Sequence, residues 1–219
     1  MSMPFLKTIP FAVMNRSPLR IFAVFLLALA LTACATVAPM HPSPSPVLPT
    51  AERNQVISSL KYWRASGEAA LSTPKHHENF GFRWEQSPQL QALSIYDPLG
   101  RTVARITVDA SGAHLETITG EHRQARNLST LLNMVLHVEL PAAELPDWML
   151  GLPGNNSTIS DNASGLPEML RSGPWQVHYL RYAPVGGLTM PQLLQANGPD
   201  GIALRMAITR WQMGQSDPS

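Results

Sequence analysis

Cysteine is almost missing from this chain. The single one, among 219 residues, is Cys34. No disulfide can form within the chain, so its folded part must be held by apolar burial alone. Lysine is scarce too. Three of the 16 basic residues (Lys7, Arg16, Arg20) precede Cys34, which leaves 13 against 15 acidic residues, and only Lys61 and Lys75 of those are lysines. Without a polybasic patch, nucleic acid is excluded as a natural partner. Signatures of chemistry are absent as well. There is no nucleophile elbow G-x-S-x-G and no glycine-rich phosphate loop. The histidines (41, 76, 77, 114, 122, 137, 178) show no H-E-x-x-H spacing, and the adjacent His76 and His77 fall in a hairpin loop where neighbours diverge. Acidic residues are spread singly, which argues against a paired-carboxylate hydrolase. The expectation is a protein that is not an enzyme, needs no cofactor and holds no metal.

What is present begins with Ile21–Leu31, eleven uninterrupted apolar residues behind Arg16 and Arg20. A helix needs roughly 20 such residues to cross a bilayer, so this is the apolar core of a secretory signal and not a span. Leu31-Thr32-Ala33-Cys34 closes it and is similar to the bacterial lipobox, in which the Cys after the cut becomes acylated. Residues 1–33 are therefore expected to be a lipoprotein signal peptide and Cys34 the lipidation site. Met14, followed by Asn15-Arg16, offers a second start besides Met1 and Met3, with a signal of more usual length. Residues 34–50 carry prolines at 39, 42, 44, 46 and 49. That density forbids helix and sheet and favours an extended tether with a reach on the order of 40 Å.

Removing 1–33 from the 219 leaves 186 residues, enough for one domain with a proper core or at most two small ones. Val56, Leu60 and Trp63 predict one face of a helix over Ala51–Tyr62, with Ile57 beside them. The period then changes to two. Phe80, Phe82 and Trp84 alternate with Gly81, Arg83 and Glu85, a half-buried strand over Asn79–Gln86. Strands are predicted before it at Trp63–Ser72 and after it at Leu90–Tyr96, Arg101–Val108 and His114–Thr119. Asp97-Pro98-Leu99-Gly100 supplies type I turn chemistry between two of them. Asn127–Val138 predicts a helix burying Leu128, Leu131, Leu132, Val135 and Leu136, ended by Pro141. Leu145–Leu150 is a further short helix closed at Gly151. Residues 155–165 read as a polar loop. Strands resume at Glu168–Arg171, Trp175–Tyr182, Gln192–Ala196 and Ile202–Trp211.

Helix, strands, helices, strands: that order predicts a mainly β fold with helices (α+β). Its expected form is a strongly curved antiparallel sheet, an incomplete barrel, with helices closing the open side. One domain over 51–213 and a tail over 214–219 complete the expected organisation.

Several motifs also occur in a telling order. They are the N-terminal helix running into Trp63–Gly67, F-x-F-x-W-x-Q from Phe80 to Gln86, and D-P-L-G at Asp97–Gly100. L-P-x-x-x-L-P-x-W-x-L-G-L-P-G at Leu140–Gly154, then Gly173–Tyr182 and a last strand ending in Trp211, follow. Together, over roughly residues 55–212, they resemble the LolB family of outer-membrane lipoprotein receptors, which take lipoproteins from the periplasmic carrier LolA. The resemblance implies a half-barrel whose apolar cavity holds acyl chains, with no nucleotide and no catalysis. It also implies that an exposed Leu in the N/D-P-L-G turn delivers cargo into the membrane. Here that residue is Leu99, flanked by Pro98 and Gly100 at a hairpin tip, where tucking back is hard. Asp97 stands where the family's Asn is familiar; both suit the first position of the turn.

Strand parity and the resemblance together point to Phe80, Phe82, Trp84, Leu93, Ile95, Ile106 and Val108 as cavity lining, although ordinary core would use the same residue types. Trp148, Gly151, Trp175 and Trp211 are read as packing. Ala35 follows the Cys where Asp would be the family's inner-membrane retention signal. The expected location is therefore the outer membrane, inner leaflet, facing the periplasm, and the expected state a monomer. A lipid-anchored binding module for another amphiphile, such as a glycolipid or fatty acid, is the alternative, and a hydrolase with a spatially assembled site a distant third.

Overall fold

The structure is a computed structural model, and it describes residues 48 and 50–214. The expected signal peptide, Cys34, nearly all of the tether and the last five residues of the tail lie outside the described residues. Three α-helices, eleven strands and a short 3-10 turn at Pro199–Gly201 make up the rest. They are α1 (Thr50–Ser58), β1 (Tyr62–Ser72), β2 (His77–Gln86), β3 (Gln91–Tyr96), β4 (Thr102–Asp109), β5 (Gly112–Thr117) and β6 (His122–Ala125). Then come α2 (Leu128–Leu136), α3 (Leu145–Leu150), β7 (Ser157–Asp161), β8 (Pro167–Ser172), β9 (Trp175–Val185), β10 (Leu188–Asn197) and β11 (Ala203–Gly214).

All eleven strands form one antiparallel sheet in the order β6-β5-β4-β3-β2-β1-β11-β10-β9-β8-β7. Its two edges, β6 and β7, do not pair with each other, so the barrel stays open. The first and last long strands meet in the middle, where β1 and β11 pair from Tyr62↔Gly214 to Ser72↔Ala203. The register slips once along that pair, between Ser66 and Gly67. A Cβ on Gly67 would stand 1.9 Å from the Ala207 carbonyl oxygen, so only glycine permits the strands to approach there.

One face of the sheet is apolar, as the period-two pattern requires. Trp63, Ala65, Ala69 and Leu71 of β1, Phe82 and Trp84 of β2, and Leu204, Met206 and Ile208 of β11 are buried there with Leu128, Leu131, Leu132 and Leu136 of α2 and with Leu145, Trp148 and Met149 of α3. Helix α2 packs over β4, β5 and β6, and α3 over β10. The opposite face carries charge: Glu85 bridges Arg64 at 2.7 Å and Arg105 at 3.4 Å.

The structure corrects several expected boundaries. Helix α1 ends at Ser58, not Tyr62, and Trp63 belongs to β1. The helix buries Arg53 and Ile57, while Val56 faces out. α2 stops at Leu136, before the predicted Val138 and well before Pro141. His137 takes the left-handed conformation (φ 54°) and donates its N–H to the Asn133 carbonyl. Asn127 caps its other end, its side chain accepting from the Thr130 N–H at 3.0 Å. The loop predicted over 155–165 contains β7, and β6 was not predicted at all. Both are edge strands made of polar residues, His-Arg-Gln-Ala and Ser-Thr-Ile-Ser-Asp. An edge strand with little to bury carries no apolar alternation to read, and its polarity protects the open edge from pairing with other chains.

Candidate apolar cleft and its lip

Between the inner face of the sheet and the two later helices lies a narrow cleft with apolar walls. The sheet contributes Phe80, Phe82, Trp84 and Leu93 from β2 and β3, with Ala69, Leu204 and Met206 from β1 and β11. Leu132 and Leu136 of α2, Leu140 and Leu145 form the other wall. Its free volume is about 30 Å³, room for about two water molecules and no more. As it stands, the cleft is shut.

Four of the seven candidate residues, Phe80, Phe82, Trp84 and Leu93, thus meet around one space. Ile95 lines a neighbouring opening instead. Ile106 and Val108 share the inner face but line neither: Ile106 is fully buried core, and Val108, paired with Gln91, stands at the far end of its strand. Sequence reading missed the helical wall. The leucine spacing of α2 was visible, but nothing marked its face as the wall of a cleft, and Leu140 lies in a non-periodic connection.

The neighbouring opening is wide, about 600 Å³. Phe80, Ile95, Ala104 and Leu115 form its floor, Met134, Val135 and Leu136 of α2 one side, and Pro98 and Thr117 part of the rim. Phe80 and Leu136 line both this opening and the cleft, so the two lie side by side with those residues between them. A larger hollow of about 750 Å³ covers Gly67, Gly81 and Ala207, with Glu68, Asn79 and Arg205 on its walls. No residue of α2 or α3 lines this hollow, and size alone does not decide the site.

On the rim stands Leu99, the most exposed large apolar residue among those described, at 80%. The turn holding it is rigidly built. Gly100 donates its N–H to the Asp97 carbonyl at 2.8 Å, and Asp97 donates its own to the Arg101 carbonyl at 2.9 Å. The Asp97 carboxylate accepts from the N–H groups of Leu99 and Arg101, both at 2.9 Å, and pairs with the Arg101 guanidinium at 2.6 Å. Hydrogen bonds from the Arg101 backbone, then from its side chain and from Leu99, hold this carboxyl below its ordinary range. Gly100 adopts φ 80°, a conformation that strains other residues, and a Cβ there would meet open space. The chain therefore presents Leu99 with its backbone already ordered.

The other side of the domain is built differently. Arg53 of α1 is 1% exposed, and among the described residues no carboxylate pairs with it. It donates to the carbonyls of Leu150 (2.9 Å), Gly151 (3.2 Å) and Thr189 (3.1 Å), and to Asn54 Oδ1 (3.0 Å). Two of these carbonyls end α3, where a cation also complements the helix dipole. Burial pulls the guanidinium below its usual range. Gly151 turns the chain at φ 68°, and a Cβ there would press on Arg53 at 3.1 Å. Trp148 packs on Trp175 (5.5 Å between centroids) and Trp63 on Trp211 (5.9 Å), whose indole donates to the Pro191 carbonyl at 3.0 Å. These tryptophans are packing, not site. Among the described residues, no three His, Cys, Asp or Glu side chains stand close enough to hold a metal.

Comparison with known proteins agrees with this architecture. The family model described as outer membrane lipoprotein LolB matches residues 61–211. The outer-membrane lipoprotein LolB of Pseudomonas savastanoi pv. phaseolicola is 31% identical over 199 residues, covering 89% of this chain and 96% of that protein. The one from Vibrio parahaemolyticus is 26% identical over 206 residues, covering 90% and 99%. Among solved structures, a LolA superfamily protein from Nitrosomonas europaea superposes with a TM-score of 0.51 at 9% identity, covering 77% of this chain and 94% of that one. A DUF1329 family protein from Desulfovibrio piger does so at 0.54 and 7%, covering 75% and 90%. At such identities these structures speak for the fold alone.

Proposed function

The chain belongs to the LolB family of outer membrane lipoproteins, and from that premise we propose that it receives lipoproteins from a LolA-type periplasmic carrier and inserts them into the outer membrane. Three acyl chains at ~0.8 kcal/mol per CH₂ carry a few tens of kcal/mol of apolar transfer energy, so cargo cannot cross water bare. The apolar cleft is the space that would cover them. Because about 30 Å³ admits no acyl chain, the α2 part of its leucine wall would part from the sheet on loading, while α3 stays in place. A cavity that opens only at a cost holds its ligand less tightly than one already open. Transfer can then continue downhill to the bilayer with no nucleotide, since ligands move by differential affinity.

The observation that carries this reading is the position of Leu99. It stands 80% exposed, next to Pro98 on the rim of an opening that shares Phe80 and Leu136 with the cleft. Leu99, held by Pro98 and Gly100, would enter the bilayer and lead cargo out. Cys34 would be the acylated anchor in the inner leaflet of the outer membrane, with a monomeric domain facing the periplasm. Thr50, where α1 begins, is bonded to Asp161 and Gly165 beside the β7–β8 turn. The sheet register puts that turn at the strand ends away from Leu99. Residues 34–50 would thus need a reach comparable to the length of a strand, and a proline-rich spacer supplies on the order of 40 Å.

Capture from a periplasmic extract tests the cargo. The acylated protein should retain triacylated lipoproteins offered on the carrier. Recovery of free glycolipid or fatty acid without acylated protein would instead support an amphiphile-binding module.

A further inference from the structure

We propose that the β5–β6 turn is a second membrane-insertion point, with Ile118 entering the lipid surface beside Leu99. This rests on the reading of Leu99 above and extends it to a residue the turn motif does not mark.

Two turns on one end of the sheet share one construction. In the first, Gly100 donates to the Asp97 carbonyl and Asp97 to that of Arg101. In the second, Gly120 donates to the Thr117 carbonyl at 3.0 Å and Thr117 to that of Glu121 at 3.0 Å. The glycines take matching left-handed conformations, φ 80° and 77°. The first residue's side chain caps the fifth residue's N–H in both: Asp97 accepts from Arg101, and Thr117 Oγ1 accepts from Glu121 at 3.1 Å. The turns are also tied together, because Ile118 donates its N–H to the Val103 carbonyl at 3.0 Å, just inside the β4 start that follows Leu99. Two strand spacings separate the hairpins, on the order of 10 Å.

Each turn exposes one aliphatic side chain, Leu99 at 80% and Ile118 at 61%, and Met134 of α2, 49% exposed, lines the same opening. These are three of the six large apolar residues exposed among those described. The remaining three are scattered over α1, the β2–β3 turn and β9. Charge beside the tips is neutralised within each turn. Arg101 pairs with Asp97 at 2.6 Å, and Arg123 with Glu121 at 2.6 Å. Such a surface can approach lipid headgroups without bringing an unpaired charge. Two rigid aliphatic tips flanking an opening fix the opening's orientation against a plane, as one tip cannot. A bilayer is the occupant this shape and charge suit.

The acylated full-length protein in liposomes provides the test, because Cys34 is the only native cysteine and its sulfur would be blocked by the lipid. A fluorophore on Ile118→Cys, and separately on Leu99→Cys, is read against lipids carrying nitroxide quenchers. Quenching at both positions is expected. Ile118→Asp should slow cargo delivery about tenfold, the weight of one aliphatic side chain withdrawn from lipid, with cargo uptake and thermal melting unchanged. Quenching at 99 but not at 118 overturns this proposal and leaves the reading of Leu99 standing. Quenching at neither position overturns both. Quenching at 118 but not at 99 supports the Ile118 contact and removes Leu99's role. Normal delivery by Ile118→Asp also overturns the proposal.

Discussion

The two halves of the sheet do opposite work. From β7 to β11, side chains lock elements together. Arg53 ties α1 to the end of α3 and to β10, and Trp148 and Trp175 pack against each other at a tilt of 48°. From β1 to β6, α2 lies on the sheet through leucines, and none of its side chains is hydrogen-bonded to a strand in the described structure. The opening and the exposed tips belong to this half, and the cleft lies at its border with the other, walled by Leu204 and Met206 of β11 and Leu145 of α3 as well. Directional bonds have a single geometry, whereas leucine packing can slide and re-form at small cost. The difference marks α2 as the part that moves and α3 as the part that stays.

Freezing that movement should have the largest effect. Cysteines at Phe80 and Leu136, joined by a short thiol crosslinker, would staple α2 to β2 at the neck between opening and cleft. Uptake of acylated cargo, read by co-purification, should fall to background and return when a cleavable linker is cut. Full uptake in the stapled state would mean that the cleft is not the binding site.

Next comes the locked half. Arg53→Met should cost about 3 kcal/mol in urea unfolding, because the Leu150 and Gly151 carbonyls lose buried donors. Leu136→Ala should cost less, about 2 kcal/mol, since it borders a space that already exists. It should also ease loading of a fluorescent acyl probe, while Arg53→Met leaves loading unchanged in whatever fraction stays folded. Equal effects of the two on loading would erase the contrast between the halves.

The smallest effect concerns Asp147 of α3, whose carboxyl is pushed above its ordinary range by burial and secondarily by Glu144. A raised native value means that the folded state holds the proton more tightly than the unfolded one. Stability then falls as pH rises through the window between the ordinary carboxylate value and the raised one, and the penalty is complete at neutral pH. Asp147→Asn should therefore raise the melting temperature slightly at pH 7 and give no gain at pH 3.

Much of this contrast was written in residue order, but unevenly. Alternation announced β2 because Phe80, Phe82 and Trp84 must all face one way, and the same parity found four of the cleft's eleven lining residues. Parity names a face, however, not a height along the strand. Ile106 and Val108 satisfied it equally, yet Ile106 lies in the core and Val108, partly buried, at the far end of its strand, both away from the opening. The leucine wall was legible as a helix and illegible as a cleft, because a packed face and a ligand-facing one use the same residues. Edge strands β6 and β7 offered no apolar pattern to read. Asp97–Gly100 declared itself by turn chemistry and by family resemblance. Thr117–Gly120, the same turn in other residues, passed as the end of a strand, and Arg53 looked like any polar residue on a surface helix.

The central claim is that uptake and delivery are separate acts of separate parts, cleft and lip. Leu99→Glu tests it most directly, since it changes an 80% exposed side chain that supports nothing beneath it. Loaded with acylated cargo and mixed with liposomes, the variant should take up cargo as well as the unaltered protein, melt at the same temperature, and fail to deliver. Delivery at the normal rate would contradict the account.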